Sequence, residues 1–287
     1  MKDKPKEILM ILQPRAIPEA IDSLNKLDIE KVWFRGYTEM ELETVLNDFI
    51  KNTDYDYYWI ISDDVVVDNK PLEVLRSKLY EGEVVTGYCK LHQASELVNI
   101  CENMWEYGLP IEKVYQLHAQ ILTQGIASFI EEKYYEEHRE YYDGQNENKD
   151  FLHWKHRVQY LNLNENTLLS FGEVQNKGDN YFETLFTGWA FTGMARDVWL
   201  NYPFQTSWIG NGTDAQFVMR YLESSPENKI YTHKDSYFIH LKEKETKNNP
   251  YLKRNWLVGE EEPVVHFGDG KLLRDEIETE HIYPKKD

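Results

Sequence analysis

Two cysteines, Cys89 and Cys101, are all that 287 residues contain. That is too few for a disulfide framework, and their spacing is not that of a paired zinc site, so a reducing compartment is expected. Long apolar runs are also missing, and no stretch approaches the ~20 residues needed to cross a bilayer. The leading "MKDKPKEILMILQPR" has an apolar segment of only about six residues, closed by Pro14 and Arg15, unlike a secretory signal. The expectation is a cytoplasmic protein, at most peripheral to a membrane. Basic charge is scarce: the formal net charge is −18 and the pI about 5.0. Such a chain repels phosphate backbones and anionic head groups, and with no basic patch in the sequence a nucleic-acid partner is excluded. The densest charge run, "EEKYYEEHREYYDG" (131–144), is acidic and aromatic and reads as a solvated helix face. Internal repeats and low-complexity tracts are absent too.

What is there is a chain of 41% hydrophobic and 14% aromatic residues, enough for a sizeable core. Its length suits a single α/β body or two fused lobes sharing one core. The first ninety residues alternate in period. "EILMIL" (7–12) has strand length, and Pro18 then stands at a first helical position with Ile21 and Leu24 on one face. "KVWF" (31–34) is a second strand. Thr38 and Glu41 fit a capping box ahead of the stripe Leu42, Val45, Leu46, Phe49, Ile50. "YYWIIS", "PLEVLRSKLY" and "EVVTGY" continue as strand, helix and strand. This alternation predicts an α/β fold, a wound, mostly parallel sheet with helices on both faces.

In such sheets ligands bind beyond the carboxyl ends of the strands. The third strand runs straight into Asp63 and Asp64 at such an end. Asp commonly closes strands by accepting from local N–H groups. Paired carboxylates at a sheet mouth also suit Mg²⁺ or Mn²⁺, hard ions that keep positions open for substrate phosphates. A departing nucleoside diphosphate needs that neutralisation.

The order "IISDD", "FTGWAFTGMARDVW", "GNGTDAQFVMR" resembles the GT-A glycosyltransferases, in particular the inverting nucleotide-sugar enzymes of the family 2 type, over most of residues 7–242. "IISDD" stands for the DxD motif, with Ser62 in place of its leading acid. The resemblance implies a hexosyltransferase-type enzyme. In it Asp64 holds the metal, Asp63 contacts the ribose or shares the ion, and Asp214 is the general base that takes the acceptor's proton. Helix N-capping is the rival role for Asp214. Gly188 and Gly193 would allow close backbone approach in the sugar pocket, and Trp189 and Trp208 would form the acceptor platform, with core packing as their rival role. His240, ending "YFIH", would complete the metal or diphosphate site, with His233 and His266 as lesser choices. Pro14 and Arg15 would hold the nucleotide. The second strand ends on Arg35 rather than an acid, and a donor-only guanidinium suits a guanine edge or a phosphate better than the uracil N–H.

The implied partners are a UDP- or GDP-sugar donor, with Mn²⁺ or Mg²⁺, and a hydroxyl acceptor on a glycan, lipid or protein. The halves would be a nucleotide-sugar-binding half, 1–145, and an acceptor-side half of the same domain, 146–245. Residues 246–287 would be an extension or a closing flap. Two rivals stand beside this reading. A sugar-phosphate nucleotidyltransferase would open its first strand into a glycine-rich phosphate loop, which "QPRAIPEA" is not. A non-catalytic carbohydrate-binding or assembly protein on the same fold would bind without turnover.

Overall fold

A computed structural model of the chain describes residues 4–13, 17–37, 39–90, 95–102, 168–186, 188–189, 191–205, 213–241 and 264–270. In chain order the first elements are β1 (Glu7–Gln13), α1 (Pro18–Asn25), β2 (Glu30–Arg35), α2 (Glu39–Asn52), β3 (Tyr57–Ser62), β4 (Val65–Val66), α3 (Asn69–Tyr80), β5 (Val84–Thr86) and β6 (Leu97–Glu102). Then come β7 (Leu168–Ser170), α4 (Phe171–Gln175), β8 (Tyr181–Phe186), β9 (Phe191–Ala195) and α5 (Arg196–Asn201). The last are α6 (Thr213–Ser224), β10 (Ile230–His233), β11 (Ile239–His240) and β12 (Val264–Phe267).

The helices start where local chemistry allows. Pro18 occupies the first turn of α1, where its missing N–H is no loss. Asp68 caps α3 by accepting from Lys70 N–H, and Ser170 with Glu173 forms a reciprocal capping box on α4. The α2 stripe buries Leu46 and Ile50, with Leu42, Val45 and Phe49 packed alongside. Thr38, its expected cap, lies outside the described residues.

The main sheet has the order β12-β2-β1-β3-β9-β5-β10-β8-β6-β7. β2, β1 and β3 are parallel neighbours, as are β5 and β10. β9 runs antiparallel between β3 and β5, so the fourth strand of the βα alternation is not hydrogen-bonded to the third. The fold is thus α/β with a mixed sheet, parallel across β2-β1-β3 and β5-β10. Because strand side chains alternate between faces, β1 sends Ile8 and Met10 to one side and Leu9 and Ile11 to the other. The first side packs on α2, α5 and α6 through Leu46, Ile50, Trp199, Phe217 and Val218. The second packs on α1 and α3 through Ile21, Leu24, Leu72, Leu75 and Leu79. Both faces are covered, which is why the strands read as continuous apolar runs.

Two findings concern the second half of the chain. Strands from either side of residue 145 interleave in one sheet, β9 lying between β3 and β5, while the boundary itself falls outside the described residues. The C-terminal stretch expected as an extension or flap contains β12, which pairs antiparallel with β2 from Val264↔Arg35 to Phe267↔Val32. Trp33 Nε1–H donates to the Gly268 carbonyl at 2.9 Å, and Gly268 N–H to the Lys31 carbonyl at 2.9 Å. At least residues 264–270 belong to the body.

Candidate functional site

The carboxyl ends of the central strands form the candidate site. Asp63 N–H extends the β1–β3 ladder by donating to the Leu12 carbonyl at 3.0 Å, so Asp63 stands one step beyond the last β3 residue. The register Gln13↔Arg35 and Leu12↔Ser62 puts Arg35 level with Asp63, two strands away across β1. Arg35 is buried, with 6% of its surface exposed. Asp63 is fully enclosed and Asp64 is 3% exposed.

The chain then turns into β4, and here a second, two-stranded sheet decides the geometry. β11 pairs antiparallel with β4, matching Ile239 to Val66 and His240 to Val65. Leu241 N–H donates to the Asp64 carbonyl at 2.8 Å. The result is a direct contact between His240 Nε2 and Asp64 Oδ2 at 2.8 Å, joining residues 176 positions apart in the sequence. The His240 side chain is the more open of the two, 19% exposed against 5% for Asp64.

The other acid arrives from the second half. β9 begins at Phe191 opposite Ile61, so the loop before it, which carries Gly188, sits at the same end of the sheet as Asp63. Gly188 has φ +96°, a conformation costly for any residue with a side chain. A Cβ built there would stand 3.7 Å from Asp214 Oδ2, which places the Asp214 carboxylate against this loop. Asp214 lies in the first turn of α6, where the helix dipole favours its negative charge. Asp64, His240, Gly188 and Asp214 therefore reach one end of the sheet from four separate stretches.

Several expectations change. Trp189 is 8% exposed, its ring centroid 5.3 Å from Trp199, 5.5 Å from Phe204 and 5.4 Å from Phe217. It is part of the aromatic core, not an open acceptor platform, because the faces a sugar would use are occupied. Gly193 is inside β9, where a Cβ would come within 2.6 Å of Trp59; its small size admits Trp59, not a sugar. His233 is buried, and its Nδ1 accepts from Asp235 N–H at 3.0 Å, a local structural role. His266 lies on β12, in register with Trp33 near the middle of β2 and away from the acids. Pro14, Arg15 and Trp208 fall outside the described residues, as does the 131–144 charge run.

Two hollows accompany the site. One of about 860 Å³ lies at the opposite, amino ends of β1–β3, among Lys6, Glu7, Asp54 and Arg76, whose charges pair as Lys6–Asp54 and Arg76–Glu7. It is at the wrong end for carboxyl-end chemistry. The other, about 570 Å³, flanks the β4–β11 ribbon beside Val66, Val67, Tyr237, Phe238 and Ile239.

Asp64 and His240 supply an anionic oxygen and an imidazole nitrogen, donors that Mn²⁺ accepts together and of which Mg²⁺ prefers the oxygen. Among the described residues no group of three His, Cys, Asp or Glu side chains forms an ion shell. The pair fits an ion whose remaining positions go to substrate phosphates and water, the usual arrangement at phosphate-bearing sites. Sequence reasoning reached the acids and His240 singly. It missed the β4–β11 ribbon that unites them, because two-residue strands leave no periodic signal.

No protein-family model matches the sequence, and no curated protein is significantly similar to it. Among solved structures, the chain is similar to the crystal structure of A197 from STIV, with a TM-score of 0.42 and 16% identity over 79% of this chain and 81% of that one. A likeness of that degree says nothing about chemistry.

Proposed function

We propose that the protein is a metal-dependent glycosyltransferase of the GT-A type, moving a sugar from a nucleotide-sugar donor to an acceptor hydroxyl with inversion. The observation that supports it most is the Asp64–His240 contact at the carboxyl end of β3, with Asp214 brought to the same end against Gly188. Asp64 and His240 would hold Mn²⁺ or Mg²⁺, which when bound neutralises charge on a diphosphate. Arg35, level with Asp63 in the sheet, would offer the nucleotide donors only. Asp214 is the base: its carboxylate accepts the acceptor hydroxyl's proton as that oxygen attacks the anomeric carbon and the bond from that carbon to the diphosphate oxygen breaks, the nucleoside diphosphate leaving with the electron pair. Gly188 takes a backbone conformation, φ +96°, that residues with side chains rarely adopt, and so carries this loop past the Asp214 carboxylate.

The test is transfer and donor hydrolysis with a panel of nucleotide sugars in Mn²⁺. Asp214→Asn, which keeps shape and loses basicity, is expected to lower kcat by about 10²–10⁴-fold, the usual worth of a positioned base. Asp64→Ala is expected to abolish the Mn²⁺ dependence along with most of the rate. Wild-type turnover in both variants would refute the reading. Nucleotide-sugar binding with no turnover in the wild type would point to the carbohydrate-binding alternative.

A further inference from the structure

His240 is not held in place by β11 alone, since two residues of pairing are a weak anchor. The segment that delivers it, His233 to His240, runs alongside the exit of β5 and is fastened there. Tyr88 N–H donates to the Ser236 carbonyl at 3.1 Å, and Phe238 N–H donates to the Tyr88 carbonyl at 2.9 Å. Tyr88 O–H donates to the Lys234 carbonyl at 2.6 Å, and Gln175 Nε2 reaches both that carbonyl, at 2.8 Å, and the Tyr88 hydroxyl, at 2.6 Å. The Tyr88 ring also stands 5.6 Å from that of Tyr237.

This lacing needs residue 87 to have no side chain. A Cβ on Gly87 would lie 2.9 Å from the Ser236 carbonyl oxygen and 3.0 Å from Phe238 Cε1. The first contact is with backbone, so the strap itself would have to move. The atom displaced is the carbonyl that accepts from Tyr88. From there two residues lead to Phe238 and two more to His240.

We infer that Gly87 and Tyr88 are positioning residues for the candidate metal pair: by clamping Ser236–Phe238 they set the distance between His240 and Asp64. The inference rests on the proposed reading of that pair as metal ligands. Gly87 and Tyr88 touch neither ligand and act only through the strap.

The test is Mn²⁺ binding alone, read by electron paramagnetic resonance on the full chain, with folding followed by circular dichroism and thermal unfolding. Wild type binds, His240→Ala binds more weakly, and Gly87→Ala binds about tenfold more weakly, at the low end of the 10–100-fold typical of outer-shell changes. The deciding result is the double variant. If Gly87 acts through His240, Gly87→Ala adds no further loss in the His240→Ala background, whereas general damage to the fold would weaken binding in both. Tyr88→Phe, which removes one strap hydrogen bond and leaves the backbone lacing, runs in the same cycle and decides the matter if Gly87→Ala does not fold. Wild-type affinity in folded Gly87→Ala and Tyr88→Phe, or losses that multiply in the double variants, overturns the inference and leaves the metal reading standing, whereas wild-type affinity in His240→Ala overturns both. A wild type that binds no Mn²⁺ overturns both.

Discussion

His233 sits seven residues before His240, yet its surroundings give it the opposite task. Its ring is buried edge-on against Tyr181, 4.6 Å between centroids, and its Nδ1 is used as an acceptor. Burial holds the imidazole below its ordinary value of 6.5, and the nearby Asp235 charge offsets this only in part. The native state therefore binds fewer protons here than the unfolded chain does at mildly acidic pH. The contribution to stability is complete above 6.5 and declines as pH falls from there toward the lowered native value. Urea midpoints should fall over that interval, and His233→Asn, which keeps an acceptor but cannot titrate, should flatten the decline. At this scale the sequence distinguished types better than places. Asp63, Asp64, Asp214, Gly188 and His240 were all legible as residues with chemistry, because acids and glycines at element ends are conspicuous. Trp189 was not separable from a platform, since a tryptophan beside glycine looks the same whether its ring faces a sugar or Phe217.

Among the elements, β12 changes the meaning of the C-terminal region most. Gly270 follows it with N–H donated to Asn25 Oδ1 at 2.8 Å, and a Cβ there would come 2.5 Å from Trp33. Trp33 is fully buried in the α1/α3 face of the core and cannot swing away without opening it. Gly270→Ala should therefore cost about 1–3 kcal/mol, the range for overpacking a filled site, measured as a lower urea midpoint at unchanged slope. The strands β1 to β3 were legible as apolar runs of strand length, and helices α1 to α3 by the spacing of their apolar residues. β12 was hidden, since "VVHF" after an acidic, proline-bearing stretch is too short to outweigh its surroundings. The antiparallel placement of β9 was equally hidden: period two gives the faces of a strand but neither its direction nor its neighbours.

At the scale of the molecule, ligand binding to the native state raises its stability by mass action, about 2.7 kcal/mol at a hundredfold excess over Kd. GDP with Mn²⁺ should raise Tm more than UDP with Mn²⁺, because guanine offers O6 and N7 to a donor such as Arg35. Omitting Mn²⁺ should remove most of either shift, as expected if Asp64 and His240 bind the diphosphate through an ion. Equal shifts for the two nucleotides would detach Arg35 from base selection. The strong acidity of the chain, −18 overall, was legible from composition and disfavours a bare diphosphate at the mouth, consistent with a cation between them. Among the described residues no helix is long and apolar enough to cross a membrane.

The insertion of β9 between β3 and β5 has a bearing on how the protein comes into being. Gly193 lies in register with Trp59 on β3 and with Val85 on β5, so β9 joins the two. A ribosome that has released the first hundred residues has therefore produced a sheet with a gap at its centre, its acids facing no partner. The late strand must thread between two early ones, through pairings as distant in sequence as Tyr57↔Ala195, and such pairings are slow to find. Until it arrives there is neither a closed core nor a mouth.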